Sequence, residues 1–227
     1  MEKSGVDFLK LAIFDFDGTL FPEETFPLLM SRLKIHPKYH RNYRQFIMGI
    51  VPVYLAYKCK VCPEMTMKEF SMRRYLTSFK TASKEEIDQF FYEVGDSMTM
   101  KLSGSVIKRL EQHRRDGYYI MLVSGAFEPL LYSVTKELPF DKIIGTSIPF
   151  NQIMEKQFRI DPIQGTRKKE VVQEQFSNME IDWSDSYAYG DSYSDLAVLE
   201  LVGNPVAVKP DSRLSEIAIH RKWEIMS

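Results

Sequence analysis

Short apolar runs alternate with helix-patterned stretches along this chain, and one interval in that alternation is far too long. Strand-like runs end near Asp15 and recur at 118–125 ("YYIMLVSG"), 142–150 ("KIIGTSIPF"), 186–192 ("SYAYGDS") and 204–210 ("NPVAVKP"). Between them lie "SVIKRLEQHRRDG", "PLLYSVTKELPF", "TRKKEVVQEQFSNM" and "SDLAVLELV", with "SRLSEIAIHRKW" last; Val171, Val172 and Phe176 fall on one helical face. Strict alternation predicts an α/β fold: a doubly wound, Rossmann-like parallel sheet covered by helices on both faces. A strand–helix–strand crossover needs only about 30 residues. The first strand ends near 15 and the second begins near 118, so roughly 70 residues are surplus, too many for a structureless loop. That stretch carries four helical patterns, "FPLLMSRLKI", "YRQFIMGIVPVYLAYK", "MKEFSMRRYLTSF" and "KEEIDQFFYEVGDSM". The predicted organisation is therefore a core of 1–24 and 101–227, with a helical cap, 25–100, inserted after the first strand.

The composition fits a chain that folds in water. Of 227 residues, 44% are hydrophobic and 27% charged, with a net charge of −1, which gives no electrostatic reason to expect a nucleic-acid partner. No run approaches the ~18 apolar residues of a spanning helix. The start, "MEKSGVDFLKLAIF", lacks the basic, apolar and small-residue order of a leader. A cytoplasmic location is the expectation. Cys59 and Cys62 form one C-x-x-C pair with no second pair to complete a zinc site, and read as ordinary thiols.

Carboxylates and hydroxyls fall where the strands end. "LAIFDFDGTLF" places Asp15 and Asp17 inside an otherwise buried run, followed by Gly18 and Thr19. Ser124 and Gly125 close the second strand, and Asp191 closes a later one, with Asp195 four residues on. In an open parallel sheet, ligands bind at the carboxyl ends of the strands. Carboxylates with oxygen donors suit Mg²⁺. A lysine at 168 or 169, a serine hydroxyl and backbone N–H groups suit a phosphoryl group. Together they predict phosphoryl transfer.

"DFDGTL" at 15–20, "VSGA" at 123–126, a lysine near 168 and "YGDSYSDL" at 189–196 follow one another in an order that resembles the haloacid-dehalogenase superfamily of phosphohydrolases. "GNPVAVKPDSRLSEIA" at 203–218 is similar to its phosphoserine-phosphatase-like branch (subfamily IB), whose cap is a helical insert after the first strand. The resemblance implies Asp15 as the nucleophile that forms an aspartyl-phosphate. It implies Asp17 as the general acid and then base, with Asp15, the Asp17 carbonyl and Asp191 as Mg²⁺ ligands. Phosphate contacts are expected from Gly18, Thr19, Ser124, Gly125 and Lys168. The family's G-x-x-K spacing from Gly165 favours Lys168 over Lys169, and Asp195 is expected to support the metal ligands from behind. Asp182 and Asp185 read as surface residues.

The cap is less legible. Glu24 lies at the spacing of the glutamate that, in phosphoserine phosphatases, contacts the substrate's amino group. Arg73 or Arg74 in "KEFSMRRYL" are candidates to meet a substrate carboxylate. From Thr25 to Pro63 there are seven Lys or Arg and no Asp or Glu, interleaved with aromatic and aliphatic residues. That pattern fits a draw on an anionic substrate, contact with an anionic membrane surface, or simply a solvated basic helix face. The expected activity is Mg²⁺-dependent hydrolysis of a small phosphorylated metabolite. The rivals are a phosphotransferase or mutase using the same nucleophile, and a non-catalytic binding protein of the same fold. "NQIMEKQFRI", 151–160, reads as a hairpin near the site. Oligomeric state is not legible.

Overall fold

A computed structural model of the chain describes residues 8–153, 155 and 158–227. Six parallel strands form one sheet in the order β3-β2-β1-β4-β5-β6. They are β1 (Leu11–Phe14), β2 (Tyr119–Phe127), β3 (Lys142–Thr146), β4 (Tyr187–Gly190), β5 (Asn204–Val208) and β6 (Glu224–Met226). The order reverses between β1 and β4, which opens a crevice at their carboxyl ends.

The helices are explained by the two faces of β1. Ala12 and Phe14 point to one face, Leu11 and Ile13 to the other. On the first face pack α5 (Gly104–Arg115), through Val106 and Leu110, and α6 (Glu128–Val134), through Leu130 and Leu131. On the second pack α7 (Thr166–Gln175), α8 (Leu196–Leu199) and α9 (Ser212–Arg221), through Val172, Leu199 and Leu214. Central strands buried on both faces read as unbroken apolar runs, which is why the first strand carries no alternation.

The insert between β1 and β2 holds α1 (Thr25–Ile35), α2 (His40–Lys58), α3 (Glu64–Leu76) and α4 (Lys84–Asp96). Its aromatics, among them Phe46, Tyr75, Phe79 and Phe91, belong to the same buried cluster as Phe14 and Phe127 of the sheet. Helix α4 lies directly on α6: Ser133 Oγ donates to the Tyr92 carbonyl at 2.8 Å, and a Cβ on Gly95 would stand 2.6 Å from the Ser133 Cβ.

Three element bounds differ from expectation. The last helix stops at Arg221, Lys222 turns into the left-handed region at φ 57°, and a sixth strand follows. Three residues on a sheet edge are too few for a periodic signal. Helix α6 ends at Val134 rather than running on to 140, and β3 ends at Thr146. The hairpin expected at 151–160 falls partly on 154, 156 and 157, outside the described residues; Phe150–Gln152 form a 3-10 turn.

Candidate active site

Asp15 follows directly on β1, where its N–H donates to the Tyr189 carbonyl of β4 at 2.9 Å. The chain then turns tightly, with Phe21 N–H donating to the Phe16 carbonyl at 2.8 Å. Gly18, at φ +76°, makes that turn possible. A Cβ there would lie 2.2 Å from Asp191 Oδ2, so the missing side chain leaves room for the Asp191 carboxylate. Asp191 itself follows the last residue of β4, and its carbonyl accepts from Asp211 N–H at 2.8 Å.

Lys168, in the first turn of α7, is buried and bridges two carboxylates. Its Nζ donates to Asp15 Oδ1 at 2.5 Å and to Asp195 Oδ1 at 2.6 Å. The other Asp195 oxygen accepts from the N–H and the hydroxyl of Ser192, each at 3.1 Å. Asp195 therefore caps the 3-10 turn Tyr193–Asp195 and fixes the lysine at once. Carboxylate oxygens of Asp15, Asp191 and Asp195 come within 4.8 Å of one another. Asp17 is held from α1: Oδ1 accepts from Thr25 N–H at 3.1 Å and Oδ2 from the Thr25 hydroxyl at 2.9 Å. Helix α1 has no side-chain cap of its own, and the Asp17 carboxyl meets one of its free first-turn N–H groups.

The charges do not balance. Burial, with Asp195 alongside, pushes the Asp15 carboxyl up to about 7 even though Lys168 pulls it down. Asp17 rises to about 8, through burial first and then Asp15 and Glu24. Asp191 rises to about 8, through burial and then Asp15 and Asp195. Burial opposes the Lys168 ammonium, yet Asp15 and Asp195 together hold its pKa above the ordinary lysine value. One ammonium serves three clustered carboxyls, and their mutual repulsion adds to burial in raising Asp15 and Asp191. An all-oxygen donor set of that kind, with the Gly18 gap beside it, fits a hard divalent cation such as Mg²⁺. A carboxyl pushed up to about 8, as Asp17 is here, suits a general acid.

These groups open on a cavity of about 240 Å³. Asp15, Asp17, Ser124, Gly125, Lys168 and Asp191 line its floor, and Glu24 stands on the wall. Phe26, Leu29, Met67, Met72 and Phe127 give the rest of the wall an apolar part, beside the polar Lys68, Ser71, Gln164, Ser192 and Ser194. Ser124 Oγ accepts from Ala126 N–H at 3.1 Å, and the Gly125 carbonyl accepts from the Thr146 hydroxyl at 2.8 Å.

Two sequence expectations land elsewhere. Gly18 and Thr19 do not line the cavity: their N–H groups donate to the Glu23 and Phe16 carbonyls, at 3.4 and 3.2 Å, so the turn itself uses the donors expected for phosphate. Arg73 and Arg74 are also outside it. Arg73 lies 5.8 Å from the Phe70 ring, and Arg74 donates to the Gln45 carbonyl at 3.3 Å. Lys169 does not line the cavity, and Asp185 pairs at the surface with Lys10 at 3.0 Å. Thr25, Gln164 and Ser192 line the cavity without having been singled out for a role. Thr25 stands directly after Glu24 in "FPEETF", ahead of the helical pattern that begins at Phe26. Cys59 and Cys62 are unpaired thiols.

Comparison with known proteins accords with this geometry. A histidinol-phosphatase of Neisseria meningitidis serogroup C is 24% identical over 96% of this chain and 98% of its own. Phosphoserine phosphatase SerB1 of Mycobacterium tuberculosis is 24% identical over 97% of this chain and 71% of its own. A match at 27% identity to the inhibition of morphological differentiation protein of Streptomyces azureus spans 63% of this chain but only 51% of that protein. A Bordetella pertussis Tohama I structure of unknown function shares the fold, with a TM-score of 0.78, 21% identity and coverage of 97% and 99% of the two chains. The family model for haloacid dehalogenase-like hydrolases matches residues 12–200, and the chain belongs to that family.

Proposed function

We propose that this protein is a Mg²⁺-dependent phosphomonoesterase that works through a phosphoryl group carried on Asp15. The observation that supports this most is Asp15 on the cavity floor, gripped on one oxygen by buried Lys168 and flanked by Asp191. In this reading Asp15, Asp191 and the Asp17 carbonyl hold the cation, which when bound masks the repulsion between a carboxylate and a phosphate. Lys168 and Ser124 hold phosphate oxygens. An Asp15 oxygen attacks phosphorus, the ester P–O bond breaks, and Asp17 gives its proton to the departing oxygen. Asp17 then takes a proton from water, which attacks the aspartyl-phosphate. Inorganic phosphate leaves and the Asp15 carboxylate is restored.

Helices α1 and α3 supply the outer wall, and residues 25–100 act as the cap over the core. Phe26, Leu29 and Met72 favour an alcohol with a small apolar body. Glu24 faces the same space and suits a cationic group on that alcohol, while Arg73 and Arg74 lie away from it. The two phosphatase relatives are named for phosphoserine and histidinol phosphate. A panel of phosphorylated metabolites with and without Mg²⁺ tests the reading. Phosphate release that needs the metal and disappears in Asp15→Asn supports it; metal-independent release, or release unchanged in that variant, refutes it.

A further inference from the structure

Helix α2 is turned the wrong way round for a helix that meets only water. Of its 19 residues only Phe46 is buried. Gly49 fixes the inner side, since a Cβ there would lie 2.4 Å from the Arg74 Nε of α3. On the opposite side Met48, Val51 and Leu55 follow the i, i+3, i+7 spacing of a single stripe, with exposed Pro52 at i+4. Met48 is 69% exposed and Leu55 56%, and Val61 just beyond the helix is 79% exposed. A soluble amphipathic helix would place polar residues there.

Basic residues frame this stripe at both ends. Arg41 and Arg44 lie on the same outward face, two turns and one turn before Met48. Lys58 and Lys60 follow Leu55, and the Lys58 ammonium sits 5.4 Å from the Tyr54 ring and 5.8 Å from the Tyr57 ring. No acidic residue occurs between Thr25 and Pro63. A symmetric contact of α2 with α2 of a second copy would set base against base in either orientation of the helix. Among the described residues no helix is long and apolar enough to cross a membrane.

We propose that the outer face of α2 docks on an anionic lipid surface, lying flat with Met48, Val51 and Leu55 in the headgroup boundary. Arg41, Arg44, Lys58 and Lys60 face lipid phosphates. This arrangement is that of an interfacial amphipathic helix: apolar residues inserted shallowly, cations around them, tyrosines at the edge. It does not depend on the catalytic reading, because none of these residues lines the cavity.

Vesicle co-sedimentation tests it, with the whole chain and vesicles of phosphatidylcholine alone or mixed with phosphatidylglycerol. The expected partitioning is at least about tenfold stronger on the anionic vesicles and lost at about 0.5–1 M salt. Met48→Glu/Leu55→Glu and Arg41→Glu/Arg44→Glu should each abolish it. Unchanged circular dichroism in both reports that they fold, and hydrolysis of soluble p-nitrophenyl phosphate should stay unchanged as well. Absent or lipid-independent binding overturns the proposal, as does wild-type binding by either double variant. So does self-association removed by Met48→Glu/Leu55→Glu, or binding to poly-glutamate without binding to anionic vesicles.

Discussion

Asp17 is the residue through which several claims can be separated. Its two oxygens are both held by Thr25, and burial keeps it protonated near neutrality. Asp17→Asn should lower turnover by at least about 10²-fold. The loss should be larger for an alkyl phosphate than for p-nitrophenyl phosphate, whose leaving oxygen needs least protonation. Equal losses on both substrates would remove the general-acid role. Gly18→Ala tests the space beside Asp191. It combines a left-handed φ with a contact at 2.2 Å, so a loss of about 1–3 kcal/mol in chemical denaturation is expected, together with weaker metal-supported turnover. His113 does not line the cavity. Burial first, with Arg109 near, pushes it down to about 4 from 6.5, and its Nε2 meets Tyr189 Oη at 2.7 Å. The unfolded chain then takes up the proton before the native state does. Its stabilising effect is complete above about pH 6.5 and disappears as pH falls toward 4, about 3 kcal/mol in all. The stability gap between wild type and His113→Gln, from urea titrations at pH 7.5, 6 and 5, should shrink accordingly. A gap independent of pH would contradict the shift.

At the scale of elements, α1 and α4 tie the insert to the sheet in different ways. Helix α1 begins at Thr25, whose hydroxyl and N–H orient Asp17, so Thr25→Val should reduce kcat by roughly tenfold with the fold kept. Kinetics alongside circular dichroism would check this. Helix α4 meets α6 through a glycine, and Gly95→Ala forces a methyl group to within 2.6 Å of Ser133. Overpacking at that crossing should cost about 1–3 kcal/mol, readable in the denaturation midpoint. What the sequence revealed of these elements follows from signal strength. The buried strand "LAIF" reads as an unbroken apolar run, the helices of 10 residues or more carry enough periodicity to read, and Gly117, at φ +79°, marks the end of α5. Strand β6 is three residues with two of them exposed, and the end of α6 is set by tertiary packing, so neither leaves a local pattern.

For the whole molecule, parallel topology does the work of assembly. Asp15 and Asp191 sit at the ends of adjacent strands β1 and β4, across the point where strand order reverses, and Lys168 arrives from α7, the helix before β4, on the second face. Such residues are legible because a carboxylate ending an apolar strand is conspicuous. Their partners are less so: Gln164 is placed by folding alone, and the N–H groups of Gly18 and Thr19 donate within the turn. The outward face of α2 shows the same limit, since a basic aromatic stretch read from sequence cannot say which side faces water.

The direct test of the account is to find the phosphoryl group itself. Turnover of p-nitrophenyl phosphate with Mg²⁺ would be stopped in acid and the protein digested for mass spectrometry. The account predicts one phosphoryl group on Asp15 in the peptide carrying residues 11–21, absent from Asp15→Asn. A phosphoryl group on another side chain, or wild-type turnover by Asp15→Asn, would contradict it.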